Sequence, residues 1–168
     1  VTYQSGNAIK ARACFTNSTY ISDIGQTTLT IDSNADSDSY QECEYVGDNY
    51  WLVVWSNGNS SALEGRTVHF TGSGVVTNIS SNSAAAKYSR TVKITNTRAV
   101  VLFRQSSNEG SNANATMATV IDFTNSGTSR TWSRGTDVNF HGSAQNQAHP
   151  QACYTGSRIV ACNTTTTS

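Results

Sequence analysis

Arg130, Trp132 and Arg134 alternate within Gly127-Thr-Ser-Arg-Thr-Trp-Ser-Arg-Gly-Thr-Asp137. On an extended backbone, alternate residues share a face. An indole plane between two guanidiniums suits a sugar ring, an acidic glycan or a protein patch. The same residues also fit a core tryptophan with two solvated arginines on a strand that bends at Gly135. Tyr154 and Arg158 supply a second aromatic and cation. They lie in Cys153-Tyr-Thr-Gly-Ser-Arg-Ile-Val-Ala-Cys162, which a Cys153–Cys162 bridge would close around a Thr155-Gly156-Ser157 turn. Such a stapled loop binds with little ordering entropy left to lose.

Asp32, Asn34, Asp36 and Asp38 place oxygens at every second residue, and the first five positions match the opening of a calcium loop. Ser37 stands where that loop needs glycine, and Cys43 where it needs the bidentate glutamate. Calcium ligation therefore competes with a solvated polar loop. His69, His141, His149 and Asp137 are zinc-ligand types, but no spacing ties them together. Glu42 and Glu44 share a strand face and are the acid pair closest to a glycosidase arrangement. No nucleophile elbow, metalloprotease helix or phosphate-binding loop occurs, so the reading is non-catalytic and without a required cofactor.

The elements around these residues follow from composition. Ser, Thr and Asn make up 62 of 168 residues, with one proline and four cysteines. Lys+Arg and Asp+Glu are equal at 11 each. That balance lacks the basic footprint of nucleic-acid or anionic-membrane binding. No apolar run reaches membrane-spanning length. The even cysteine set and hydroxyl-rich background point to secretion or the cell surface. Four cysteines permit three pairings, of which Cys14–Cys43 with Cys153–Cys162 joins neighbours in sequence and is the favoured one. Five sequons, at Asn17, Asn59, Asn78, Asn114 and Asn163, carry glycans only in a eukaryotic source.

Strand signals recur along the chain. Ala8–Phe15 alternates Ile9, Ala11, Ala13 and Phe15, and Thr27–Asp32 pairs Leu29 with Ile31. Tyr50–Ser56 and Ala99–Arg104 are near-continuous apolar runs, predicted as buried strands. Arg66–Thr71, Val75–Ile79, Ser89–Thr95, Thr116–Thr124 and Thr136–His141 complete the set, the last with Val138 and Phe140 inward. Ser81–Lys87 could form at most one helical turn. Residues 141–162 read as a polar surface loop that no core requires. The predicted class is all-β: a disulfide-stapled antiparallel β-sandwich or jelly roll, Ig-like or an elongated barrel. Residues 1–162 form one domain, and residues 163–168 a Thr-rich linker or tail.

Val1 as the start, the two cysteine pairs and the Thr164–Ser168 exit together resemble the receptor-binding, lectin-type domain of two-domain chaperone–usher pilus-tip adhesins. The resemblance spans the chain and carries no binding residue with it. It implies a cell-adhesion domain at a pilus tip, or fimbria, joined to a following pilin-like or stalk domain. Its partner would be a host glycan, or a host extracellular-matrix or plasma protein. A fungal cell-wall adhesin or lectin shares the composition. A secreted carbohydrate-active enzyme or toxin is the competing class.

Overall fold

The computed structural model describes residues 1–12, 14–16, 21–23, 28–33, 41–57, 62–69, 77–79, 86–105, 115–126, 129–141 and 150–163. Every regular element among them is a strand. Three short pieces, β1 (Thr2–Ser5), β2 (Ala8–Ala11) and β5 (Leu29–Asp32), form one antiparallel sheet, and β3 (Cys14–Thr16) pairs with β4 (Ile21–Asp23). A second sheet runs β6 (Gln41–Gly47), β7 (Tyr50–Asn57), β8 (Ala62–His69), β9 (Thr77–Ile79). A third runs β10 (Ala86–Thr95), β11 (Arg98–Gln105), β12 (Thr116–Ser126), β13 (Ser129–Arg134), with β14 (Val138–His141) on β12 beside β13. The last pair is β15 (Pro150–Tyr154) with β16 (Ile159–Asn163). β6–β9 and β10–β13 are meanders in chain order, each strand pairing antiparallel with the next, while β14 returns to β12.

The two apolar runs have one physical cause: each strand is buried on both faces. Leu52 and Val54 of β7 point toward Val101, Phe103 and Ile121, the core between the two large sheets. Val53 and Trp55 point the other way and pack on Ile9, Ala11 and Ile31 of the N-terminal sheet. On β11, Val101 and Phe103 face β7, while Val100 and Leu102 face outward. Each fully buried side chain of this kind contributes about 1.5–3 kcal/mol. The molecule is thus an antiparallel sandwich with a further β layer on each outer face.

That outermost layer corrects the reading of residues 141–162 as a loop without a core. Ala152 and Tyr154 of β15, with Ile159 and Ala161 of β16, pack on Val92, Val100 and Leu102. The alternation along both strands turns these four residues inward. Gln151, Cys153, Val160 and Cys162 face outward.

A second correction concerns β14. Val138 and Phe140 share a face, but that face is solvent: they are 62% and 45% exposed. β14 pairs only with the first residues of β12, Thr116–Ala118, at the margin of the sheet. Residues 81–85 of the expected helical turn lie outside the described residues, and Ala86 already begins a strand.

Candidate functional site

Arg130, Trp132 and Arg134 do share a face of β13, as their alternation predicts, but that face points inward. Arg130 is 0% exposed. Its guanidinium lies between the rings of Tyr50 and Phe123, 5.0 and 4.9 Å from their centroids. It donates to the carbonyls of Val46 at 3.1 Å and Gly47 at 3.2 Å, and to that of Asn96. Asp48 is 3.5 Å away. Burial lowers the arginine's affinity for its proton, while Asp48 favours the charge. Five fixed donors suit a guanidinium to such a cradle of carbonyls. The side chain therefore clamps the 47–49 and 96–97 turns, and no surface is left for a ligand to touch.

The turn at 47–49 explains why the cradle is so compact. Asp48 and Asn49 both have positive φ, 53° and 61°, which is the two-residue hairpin geometry that matches strand twist. Gly47 has φ 96°, and a Cβ there would sit 2.5 Å from Cγ of Asn96. Only glycine lets the two turns approach this closely.

Trp132 and Arg134 line a narrow apolar crevice with Leu52, Val54, Leu63 and Ile121. The crevice is half open to solvent, and the space it gives a water-sized centre is about 20 Å³. Arg134 is paired with Asp137 and its guanidinium lies over Phe103. Tyr154 is half-buried on the inner face of its hairpin, and its hydroxyl donates to the Gly156 carbonyl at 2.7 Å. Arg158 is exposed in the turn. Of the five residues expected to bind, Arg158 alone is solvent-facing, and the structure does not bring the five together.

The calcium reading falls mostly outside the described residues: Asp32 ends β5, while Asn34, Asp36 and Asp38 are not described. His69 stacks on Tyr50 at 4.4 Å. Among the described residues, no three His, Cys, Asp or Glu side chains gather as metal ligands. Cys43, Cys153 and Cys162 carry free thiols in this structure, and Cys14 lies on β3. Cys43 is half-buried against the N-terminal core, and burial pushes its thiol up to about 11.

The exposed constellation lies elsewhere, on residues that sequence reasoning missed. Tyr45 of β6 sits opposite Trp51 of β7, flanking the Asp48–Asn49 turn. Their rings are 5.2 Å apart and tilted by 55°. Lys93 reaches across from β10, its ammonium 4.8 Å from the Tyr45 centroid. Tyr45 is 44% exposed. The N-terminal sheet covers Val53 and Trp55 on this face, and Trp51 next to them along β7 is half-buried. Asp48 and Asn49 are exposed in the turn between the two strands. The signal available in the sequence is two aromatics flanking a turn, Tyr45 three residues before Asp48 and Trp51 two after Asn49, with Trp51 hidden inside the apolar run Tyr50–Ser56.

The strands holding this pair are joined to the facing sheet by Glu42. Its carboxylate accepts from Nη1 of Arg90 at 2.7 Å and from the backbone amide of Thr91 at 2.5 Å. The β10 ladder shifts register between Lys87 and Arg90, with Tyr88 at φ 53°. That bulge coincides with the point where Thr91 N–H reaches Glu42 across the sheets. Burial raises the proton affinity of Glu42, opposed by the Thr91 and Arg90 bonds. Glu44 is raised by burial too, with Arg90 and Lys93 pulling it down.

Comparison with protein-family models, with curated proteins and with solved structures returned no match.

Proposed function

We propose that this chain is an exported, non-catalytic adhesive domain that binds a host glycan through Tyr45 and Trp51. The observation that carries the reading is the Tyr45–Trp51 pair, Tyr45 exposed and Trp51 half-buried, flanking a tight turn with a cation at its edge. Tyr and Trp give large, stiff contact surfaces at low entropy cost, and their faces suit the apolar C–H faces of sugars. Lys93, Asp48 and Asn49 supply the polar rim that fixes orientation. Both oxygens of Glu42 are engaged in hydrogen bonds, which favours binding over acid catalysis by the Glu42 and Glu44 pair.

The hydroxyl-rich composition supports a cell-surface or secreted setting, at a pilus tip in the adhesin reading, with a pilin-like or stalk domain following. In that oxidising setting the stapling bridges are Cys14–Cys43 and Cys153–Cys162. A glycan array run beside a fibrinogen and collagen panel tests the function. Retention on glycans, weakened at least tenfold by Trp51→Ala, is the expected result. Binding only to the protein panel would move the receptor class, and hydrolysis of glycosides without retention would end the adhesive reading.

A further inference from the structure

We propose that the terminal hairpin is a thiol–disulfide switch in which oxidation shifts the β15–β16 register by two residues. The idea rests on the Cys153–Cys162 pairing put forward above. In the present register Cys153 lies opposite Val160, and Cys162 lies opposite Gln151. Both thiols are exposed on the same outer face, but they are diagonal neighbours. Diagonal positions on adjacent strands are about 7–8 Å apart. A disulfide wants Cα atoms within about 7 Å and Cβ atoms about 4 Å apart. The thiols therefore face the same solvent without being placed to bond.

Sliding one strand by two residues sets Cys153 directly opposite Cys162. Side chains alternate with a period of two, so this slide keeps every residue on its own face. A slide by one would expose the inner face and is ruled out by the packing of Ala152, Tyr154, Ile159 and Ala161. The two-residue slide shortens the loop. At present Thr155–Arg158 form a four-residue connection, closed by Thr155 N–H to the Arg158 carbonyl at 3.0 Å and by Tyr154 to Gly156. Gly156 takes the positive φ of 93°.

After the slide, Gly156 opposes Ile159 and only Ser157 and Arg158 remain to turn. Two-residue hairpins need positive φ at one or both central positions, which Ser and Arg resist. The reduced hairpin thus favours the present register, and the bond would hold the other. The slide also moves Tyr154 from Ile159 to Ala161, repacking the layer over Val92 and Leu102.

The oxidant is a small-molecule disulfide. One cysteine thiolate attacks it and releases one small thiol, leaving a mixed disulfide. The second cysteine attacks the protein sulfur of that bond and releases the second small thiol, so two electrons pass to the oxidant.

The test uses the full chain with and without oxidised glutathione. Proteolytic peptides are weighed without reductant, and cross-strand nuclear Overhauser contacts are recorded for both samples. The expected result is a Cys153–Cys162 peptide two hydrogens lighter, with the Ala152–Ala161 contact replaced by Tyr154–Ala161. A Cys153–Cys162 bridge with the Ala152–Ala161 contact intact overturns the register switch and leaves the pairing standing. Absence of any Cys153–Cys162 bridge under oxidant overturns both.

Discussion

Two groups of aromatics and cations flank the 47–49 turn of this sandwich, one around Arg130 and one around Trp51. Arg130 lies inside, between two rings and against three carbonyls, with no exposed surface. Lys93 lies outside, its ammonium over the half-exposed ring of Tyr45. Residue type alone does not separate them. The faces do: β13 turns its arginine toward two converging turns, whereas Tyr45 turns to solvent with Trp51 half-buried beside it. A guanidinium can enter the interior because its donors are all aimed at fixed acceptors. An ammonium, compact and strongly hydrated, stays at the rim.

The largest effect should come from breaking the interior group. Arg130→Ala leaves the Val46, Gly47 and Asn96 carbonyls without their donor and opens a hole between Tyr50 and Phe123. A loss of about 3–5 kcal/mol is expected, read as a shifted urea midpoint. A loss under about 1 kcal/mol would show that the clamp is not structural. Gly47→Ala attacks the same place through the backbone. Its positive φ and the contact with Asn96 predict about 1–3 kcal/mol.

Glu42→Gln is a finer probe. At neutral pH the charge-assisted bonds lost are offset by the buried charge removed, so the net change stays within about 1 kcal/mol. The pH trend is the diagnostic. Burial holds the Glu42 proton more tightly in the folded chain than in the unfolded one, where 4.5 is the ordinary value. The stability from that bound proton is present below the ordinary value and lost as pH rises through the raised one. Glutamine has no such loss. The variant should therefore gain on the natural chain as pH climbs from about 4.5 toward neutrality, by paired urea titrations. A flat difference, or one running the other way, would contradict the burial of this carboxylate.

What the residues reveal in advance depends on how many neighbours are needed to interpret them. The apolar runs of β7 and β11 are legible because burial on both faces removes alternation altogether. The shared face of Arg130, Trp132 and Arg134 is legible from period two. Its inward sense is not, since the acceptors come from turns 34 to 84 residues away in the chain. Val138 and Phe140 show the same limit. Alternation says they lie together, but only the position of β14 at the sheet margin says that they face solvent. The Cys153 and Cys162 spacing marks a hairpin, while the diagonal register depends on a four-residue turn closed by Thr155 and Arg158. The Tyr45 and Trp51 pair is not legible in advance, because Trp51 lies within the apolar run that begins at Tyr50 and its contact with Tyr45 depends on the β6–β7 register.

The most direct test of the contrast between the two groups is the affinity of the folded chain for an array-selected glycan, measured for the natural protein, Trp51→Ala and Trp132→Phe. Circular dichroism confirms that each variant keeps its strands. The account predicts that Trp51→Ala loses about tenfold or more in affinity, roughly 1.4 kcal/mol, while Trp132→Phe binds as the natural chain does. Full binding by Trp51→Ala together with loss in Trp132→Phe would place the site on the β13 face instead and contradict the account.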